Sequence, residues 1–269
     1  MKQIRWVIQK NLIAENDLKQ IQDTCKKMGV EFEEVVVVPF SPEIPQFTID
    51  DKENIYFGAT TFINNVYKTY NKPVGVFFDE NAFSMENYLE KWGEHMLNYG
   101  AKITTFKELL QDPHDNEDLL FIRPDADDKS FNGEIWKFGD IKDWHTRFTK
   151  CDAVNLTENT KILAGEAYNI SKEWRNYIID GKVITSSLYR EDFRLKKSNQ
   201  DIPADMIQFV EDRCKEYQPH EIFVMDVALC GGDYYIIECG CWNSVGFYAS
   251  DVLKNVMAIT EYIFKKRNP

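Results

Sequence analysis

Four residues in the C-terminal half of the 269-residue chain have types and spacings suited to handling phosphate: Arg175, Arg190, Asp226 and Glu238. Glu238 follows Ile236 and Ile237 in "GGDYYIIECGCWNSVGFY", and Asp226 lies in the apolar run "EIFVMDVAL". Both carboxylates therefore stand in segments that read as buried strands. Side chains alternate along a strand, so the register of the hairpin decides whether the two share a face. Their numbers sum to an even value, so they face each other directly only if the connecting loop is odd. The expected loop is the three residues Gly231, Gly232 and Asp233, because glycine supplies the left-handed position of such a loop. Facing carboxylates among apolar neighbours repel and are costly to desolvate, so a proton or a cation must relieve them. Mg²⁺ suits the pair, since it prefers oxygen ligands and commonly takes one or two carboxylates together with substrate phosphates. The other reading is that each carboxylate pairs with a nearby Lys or Arg.

A second hairpin, "EWRNYIIDGKVITSSLYR", carries Asp180-Gly181 between two β-branched runs, a strong turn signal. A two-residue turn there sets Arg175 opposite Ser186. Glu173, Arg175 and Tyr177 then share a face with Ile184, Ser186 and Arg190, while Trp174 and Ile178 take the other. The converging arginines read either as an anion site or as a solvated, salt-bridged face.

The elements that would carry these residues follow from periodicity. Strands are expected at 4–9, 32–39, 54–59, 73–78 and 119–124, and helices at 16–29 (closed by Gly29), 84–98 (opened by Ser84), 201–217 and 250–266. The first third alternates strand and helix as an α/β unit ending near residue 100; strands and hairpins dominate after it. Repeats, low-complexity tracts and Gly/Ser-rich linkers are absent.

Composition limits the alternatives. A formal charge of −12 argues against a broad nucleic-acid face, which needs clustered cations. The N-terminal run "MKQIRWVIQKNLIAEND" is too interrupted by polar residues for a signal peptide or a membrane span, and a cytoplasmic protein is expected. The 6 cysteines form no C-x-x-C pair and the 4 histidines show no metal spacing, so disulfides, zinc and a Ser-His-Asp hydrolase are poorly supported. Trp174, Trp242 and Tyr248 read as core, with stacking of one of them on a substrate as the other reading.

From about residue 100 onward, the order of segments resembles the ATP-grasp superfamily. A strand ends in a basic residue ("FIRP"), then come a Lys- and Gly-bearing loop ("DKSFNGEIW"), a hinge strand ("KILAGEA") and the E-W-R hairpin. A helix follows, then a strand with Asp ("VMDVAL") and one with Glu ("YYIIEC"). The Arg-Pro strand and E-W-R segment look like the small phage and bacterial branch. The resemblance implies an ATP-grasp fold over 101–269, with nucleotide between two α+β subdomains, behind an α/β N-terminal domain at 1–100. It implies ATP and Mg²⁺ as cofactors, and a carboxylate-amine ligase acting through an acyl-phosphate on a small-molecule or peptide substrate. A nucleotide-binding module without turnover and a phosphotransferase are the alternatives. By the same resemblance Arg123 would face the α and β phosphates, Lys129 would approach them from the loop, and Glu166 would stand at the adenosine. Arg175 and Arg190 would meet the γ-phosphate or acyl-phosphate, and Asp226 and Glu238 would hold the metal. Many members carry Asn two positions after the metal-binding Glu; here that position is Gly240, and Asn243 is the expected substitute. The run Asp125, Asp127, Asp128 reads as a solvated loop, or as a preference for an amine-bearing substrate.

Overall fold

The computed structural model describes residues 3–38, 41, 43–128, 130–151 and 156–268. In chain order the elements are β1 (Ile4–Gln9), α1 (Glu15–Met28), β2 (Glu31–Val35), β3 (Glu53–Phe57), α2 (Thr60–Thr69), α3 (Met85–Trp92), β4 (Lys102–Thr105), α4 (Phe106–Leu109), β5 (Leu119–Pro124), β6 (Glu134–Lys137), α5 (Phe138–Phe148), β7 (Lys161–Gly165), β8 (Ile170–Ile179), β9 (Lys182–Glu191), β10 (Arg194–Ser198), α6 (Ala204–Glu216), β11 (Ile222–Cys230), β12 (Asp233–Gly240) and α7 (Val252–Arg267).

Among the described residues three sheets form: a parallel β2-β1-β3, an antiparallel β4-β7-β5-β6, and an antiparallel β10-β9-β8-β11-β12. One face of the five-stranded sheet packs on α3 and α6 through Trp174, Ile178, Phe223, Met225 and Val210. Its other face shares a core with the parallel sheet, where Tyr177 and Val224 meet Trp6, Phe57, Trp242 and the α7 residues Val256 and Ile259. The four-stranded sheet has its own core around Phe106, Ile122, Phe138 and Ile162. Burial on both faces explains why β11 reads as a nearly continuous apolar run with one carboxylate in it.

Local signals account for most boundaries. The Ser84 hydroxyl accepts from the Asn87 N–H and opens α3, while Gly29 closes α1 at φ +66°. The Asp180-Gly181 turn has φ +49° and +72°, the mirror-image geometry whose twist suits a tight hairpin.

Three expectations need correction. Residues 73–78 form no strand: Gly75 passes so close to the chain that an added Cβ would lie 1.8 Å from the Asn54 carbonyl oxygen. The segment lies against β3, with the Tyr56 N–H donating to Gly75 O at 3.2 Å, but makes no ladder. The β11–β12 loop has two residues, not three, since Cys230 pairs with Asp233 across Gly231 and Gly232. Asp226 and Glu238 nevertheless face each other, because the register slips by one between Asp226 and Val227 and leaves Ile237 as an extra residue. Similar slips in β8–β9 set Arg175 opposite Ser187, not Ser186, and Tyr177 opposite Thr185.

Candidate nucleotide site

The four-stranded and five-stranded sheets contribute walls to one cavity of about 720 Å³. Arg123 enters it from β5, Glu166 from the end of β7, Arg175 from β8, Arg190 from β9, Asp226 from β11 and Glu238 from β12. Six residues singled out from sequence thus meet in one place. Lys129 lies outside the described residues.

The charges are arranged as pairs. Arg175 holds Asp226 in a two-pronged bond, Nε to Oδ1 at 2.9 Å and Nη2 to Oδ2 at 2.7 Å. This is the planar recognition for which guanidinium is suited. Its guanidinium lies over the Tyr248 ring, 5.0 Å from the centroid, and Tyr248 stacks on Tyr189 with centroids 4.9 Å apart. Tyr248 takes φ +53°, an uncommon backbone state for a bulky residue, and this places its ring against the arginine. Arg123 donates from Nη2 to Glu238 Oε2 and from Nε to its neighbour's carbonyl at Pro124. Burial opposes both arginine charges, but Glu238 and Asp226 outweigh it and raise the two pKa values.

Glu173 forms a third cluster. The β8–β9 slip leaves Tyr189 as an extra residue next to the Glu173–Arg190 pair, so two successive side chains reach one carboxylate. The Tyr189 hydroxyl donates to Glu173 at 2.6 Å and Arg190 Nη1 stands 3.3 Å from it. Burial lifts the Glu173 pKa, against the pull of Tyr189 and Arg190.

Asn243 is not part of this constellation. Its Oδ1 accepts from the Phe77 N–H at 2.6 Å, and its Nδ2 donates to the carbonyls of Tyr56 at 2.6 Å and Gly75 at 2.9 Å. Fully buried and engaged at both ends of its amide, it clamps backbone and does not offer an oxygen to a metal. The acidic run also departs from expectation, for Asp125 and Asp127 are buried. Asp125 Oδ1 accepts from the Glu86 N–H at 2.8 Å in the first turn of α3, and Asp127 Oδ2 accepts from the Cys241 N–H at 3.1 Å. Tyr189 was not singled out for the site, while Tyr248 and Asp127 were read first as core and as solvated loop; the spacing of Asp125 and Asp127 in a strand-end loop was the available signal.

The donor chemistry fits Mg²⁺. Asp226 and Glu238 are hard oxygen donors at directly opposed positions on the cavity wall. Among the described residues no three carboxylate, imidazole or thiol groups gather as a metal cage, in keeping with an ion that draws its remaining oxygens from phosphate and water.

An antiparallel sheet bearing opposed carboxylates, closed over by a second sheet bearing a basic strand end, defines a nucleotide-clasping fold. The chain belongs to the ATP-grasp superfamily: residues 101–258 match the model of the ATP-grasp domain, R2K clade family 2. No curated protein matches the sequence. Among solved structures, a RimK domain ATP-grasp protein from Sphaerobacter thermophilus aligns with TM-score 0.60 at 9% identity, over 97% of this chain and 99% of that one. D-alanine–D-alanine ligase from Bacillus anthracis aligns with TM-score 0.57 at 11% identity, over 99% and 100%. A RiPP-associated ATP-grasp ligase from Chryseobacterium gregarium, in complex with ADP and a leader and core peptide, aligns with TM-score 0.60 at 10% identity, over 99% and 97%. At these identities the likeness establishes the fold.

Proposed function

We propose that the protein is an ATP-dependent, ADP-forming ligase that joins a carboxylate to an amine or another nucleophile through an acyl-phosphate. The observation that carries this reading is the meeting of the pairs Arg123–Glu238 and Arg175–Asp226 in one cavity. A polyphosphate with its cation can exchange partners with such pairs: the guanidinium groups turn to phosphate oxygens and the carboxylates take the ion, so no buried charge is stranded. Mg²⁺, when bound, would neutralise β and γ phosphate charge. The apolar side chains Phe121, Ile135 and Ile237 line the same cavity, and Phe121 lies opposite Gly165 next to Glu166. We assign the adenosine to that end and the γ-phosphate to the end bearing Arg175 and Arg190.

The residues then divide the work. Arg123 orients the α and β phosphates. Arg175, fixed in plane by Tyr248, and Arg190, held by Glu173, stabilise charge as phosphoryl moves from ATP to the substrate carboxylate and ADP departs. The nucleophile displaces phosphate from the acyl group and loses its proton as the new bond forms. The acceptor is a small molecule or peptide. Residues 1–100 are assigned as an α/β N-terminal domain, which the start of the family match at residue 101 supports.

ADP release in mixtures of candidate acids and amines, with hydroxylamine to trap activated acyl groups, tests the reading. The expected result is turnover abolished in Glu238→Ala; absence of nucleotide binding, or full turnover in that variant, overturns it. Gly240 favours a second reading, a nucleotide-binding module without ligation, which ATP binding with no product from any mixture would select.

A further inference from the structure

Gly240 stands two residues beyond Glu238 on β12 and opposite Val224 on β11. The side chain it lacks would therefore point to the same face of the sheet as Asp226 and Glu238. That space adjoins Asp127. A Cβ on Gly240 would meet Val224 Cγ2 at 3.4 Å and Asp127 Oδ2 at 3.6 Å. Asp127 comes from the loop after β5, in the four-stranded sheet, and is only 8% exposed. Its Oδ2 is fixed by the Cys241 N–H. Asp127 also lines both the main cavity and an adjoining recess of about 70 Å³, whose walls include Asp226, Glu238 and Gly240.

We propose that Asp127 is the third carboxylate of the cation site, holding a water bound to the ion that Asp226 and Glu238 take. This rests on the metal-nucleotide reading above and deepens it. A divalent ion of Mg²⁺ type keeps several waters, each of which needs an acceptor, and partners of the coordinated groups tune affinity nearly as strongly as the ligands do. This role of Asp127 also bears on Gly240, since any side chain there would lie against its carboxylate. The site is then completed from the four-stranded sheet as well as the five-stranded one.

The test is Mn²⁺ titration of the full chain in the presence of ADP, followed by electron paramagnetic resonance of the free ion. Asp127→Asn and Asp127→Ser both keep an acceptor for the Cys241 N–H while removing the charge. A loss of about 10- to 100-fold in Mn²⁺ affinity is expected for either folded variant. ADP affinity measured in EDTA should stay at the wild-type value. Unchanged Mn²⁺ affinity overturns the proposal, and so does an equal loss of metal-free ADP binding, which would mean that Asp127 merely shapes the pocket. Failure of wild-type protein to bind Mn²⁺ with ADP would instead sink the nucleotide reading itself.

Discussion

Glu173 illustrates how one residue couples the site to solution conditions. Its carboxyl is buried and its folded-state pKa is raised above the ordinary 4.5. The folded chain therefore retains a proton that the unfolded chain has already released, and the contribution to stability falls as pH rises from about 4.5 through the folded value. Glu173→Gln removes this component yet keeps an acceptor for Tyr189. Urea unfolding from pH 4 to 7 should show the wild type losing stability relative to the variant as pH increases; a difference that does not vary with pH would refute the assignment. The same carboxylate holds Arg190, so the Gln variant should also weaken any step that uses that arginine. Asp226 and Arg175 behave differently, since each is the other's compensation and removing one strands a buried charge, at about 3–5 kcal/mol.

At the scale of elements, the hairpins show what sequence can and cannot reveal. Asp180-Gly181 announced its turn because both positions need positive φ, which few residue pairs tolerate. The opposed placement of Asp226 and Glu238 was legible, but for a mistaken reason: the chain uses a two-residue Gly-Gly turn and recovers the register with an extra residue at Ile237. Such slips depend on how strands twist and pack, and no residue type marks them. The short strands β4 and β10 were missed because brief polar-rich segments carry no sustained period, whereas α2 and α5 were missed although Phe62, Ile63, Val66 and Tyr67, and Phe138, Ile141 and Phe148, give each a buried face. Residues 73–78 were misread as a strand because β-branched burial imitates one. Asn243, expected at the metal, ties that segment and β3 to the chain leaving β12. Asn243→Ala leaves three buried backbone groups without this partner and should lower stability by about 3 kcal/mol or more in denaturant titration, while Mn²⁺ affinity of the folded fraction holds. A selective loss of metal binding would restore the residue to the site.

For the whole molecule, the connection between the first sheet and the five-stranded sheet matters most. Trp242 meets Trp6, Phe57 and Phe77 edge-on, and α7 from the end of the chain packs against α1 from its beginning. A net charge of −12 surrounds a cavity in which Arg123, Arg175 and Arg190 are each paired with a carboxylate, so an anionic ligand gains their charge only when a cation takes the carboxylates. The interlocked core also bears on how the protein can be cut. The span from residue 101, where the family match begins, is not a self-sufficient piece: without its partner, α7 would present Val256, Ile259 and Ile263, and β11 would present Ile222 and Val224, to water. A fragment of 101–269 produced alone should aggregate, and adding 1–100 as a separate polypeptide should rescue it as a two-part complex visible by size-exclusion chromatography. Gene fusions and truncations aimed at the nucleotide site must therefore carry both ends of the chain.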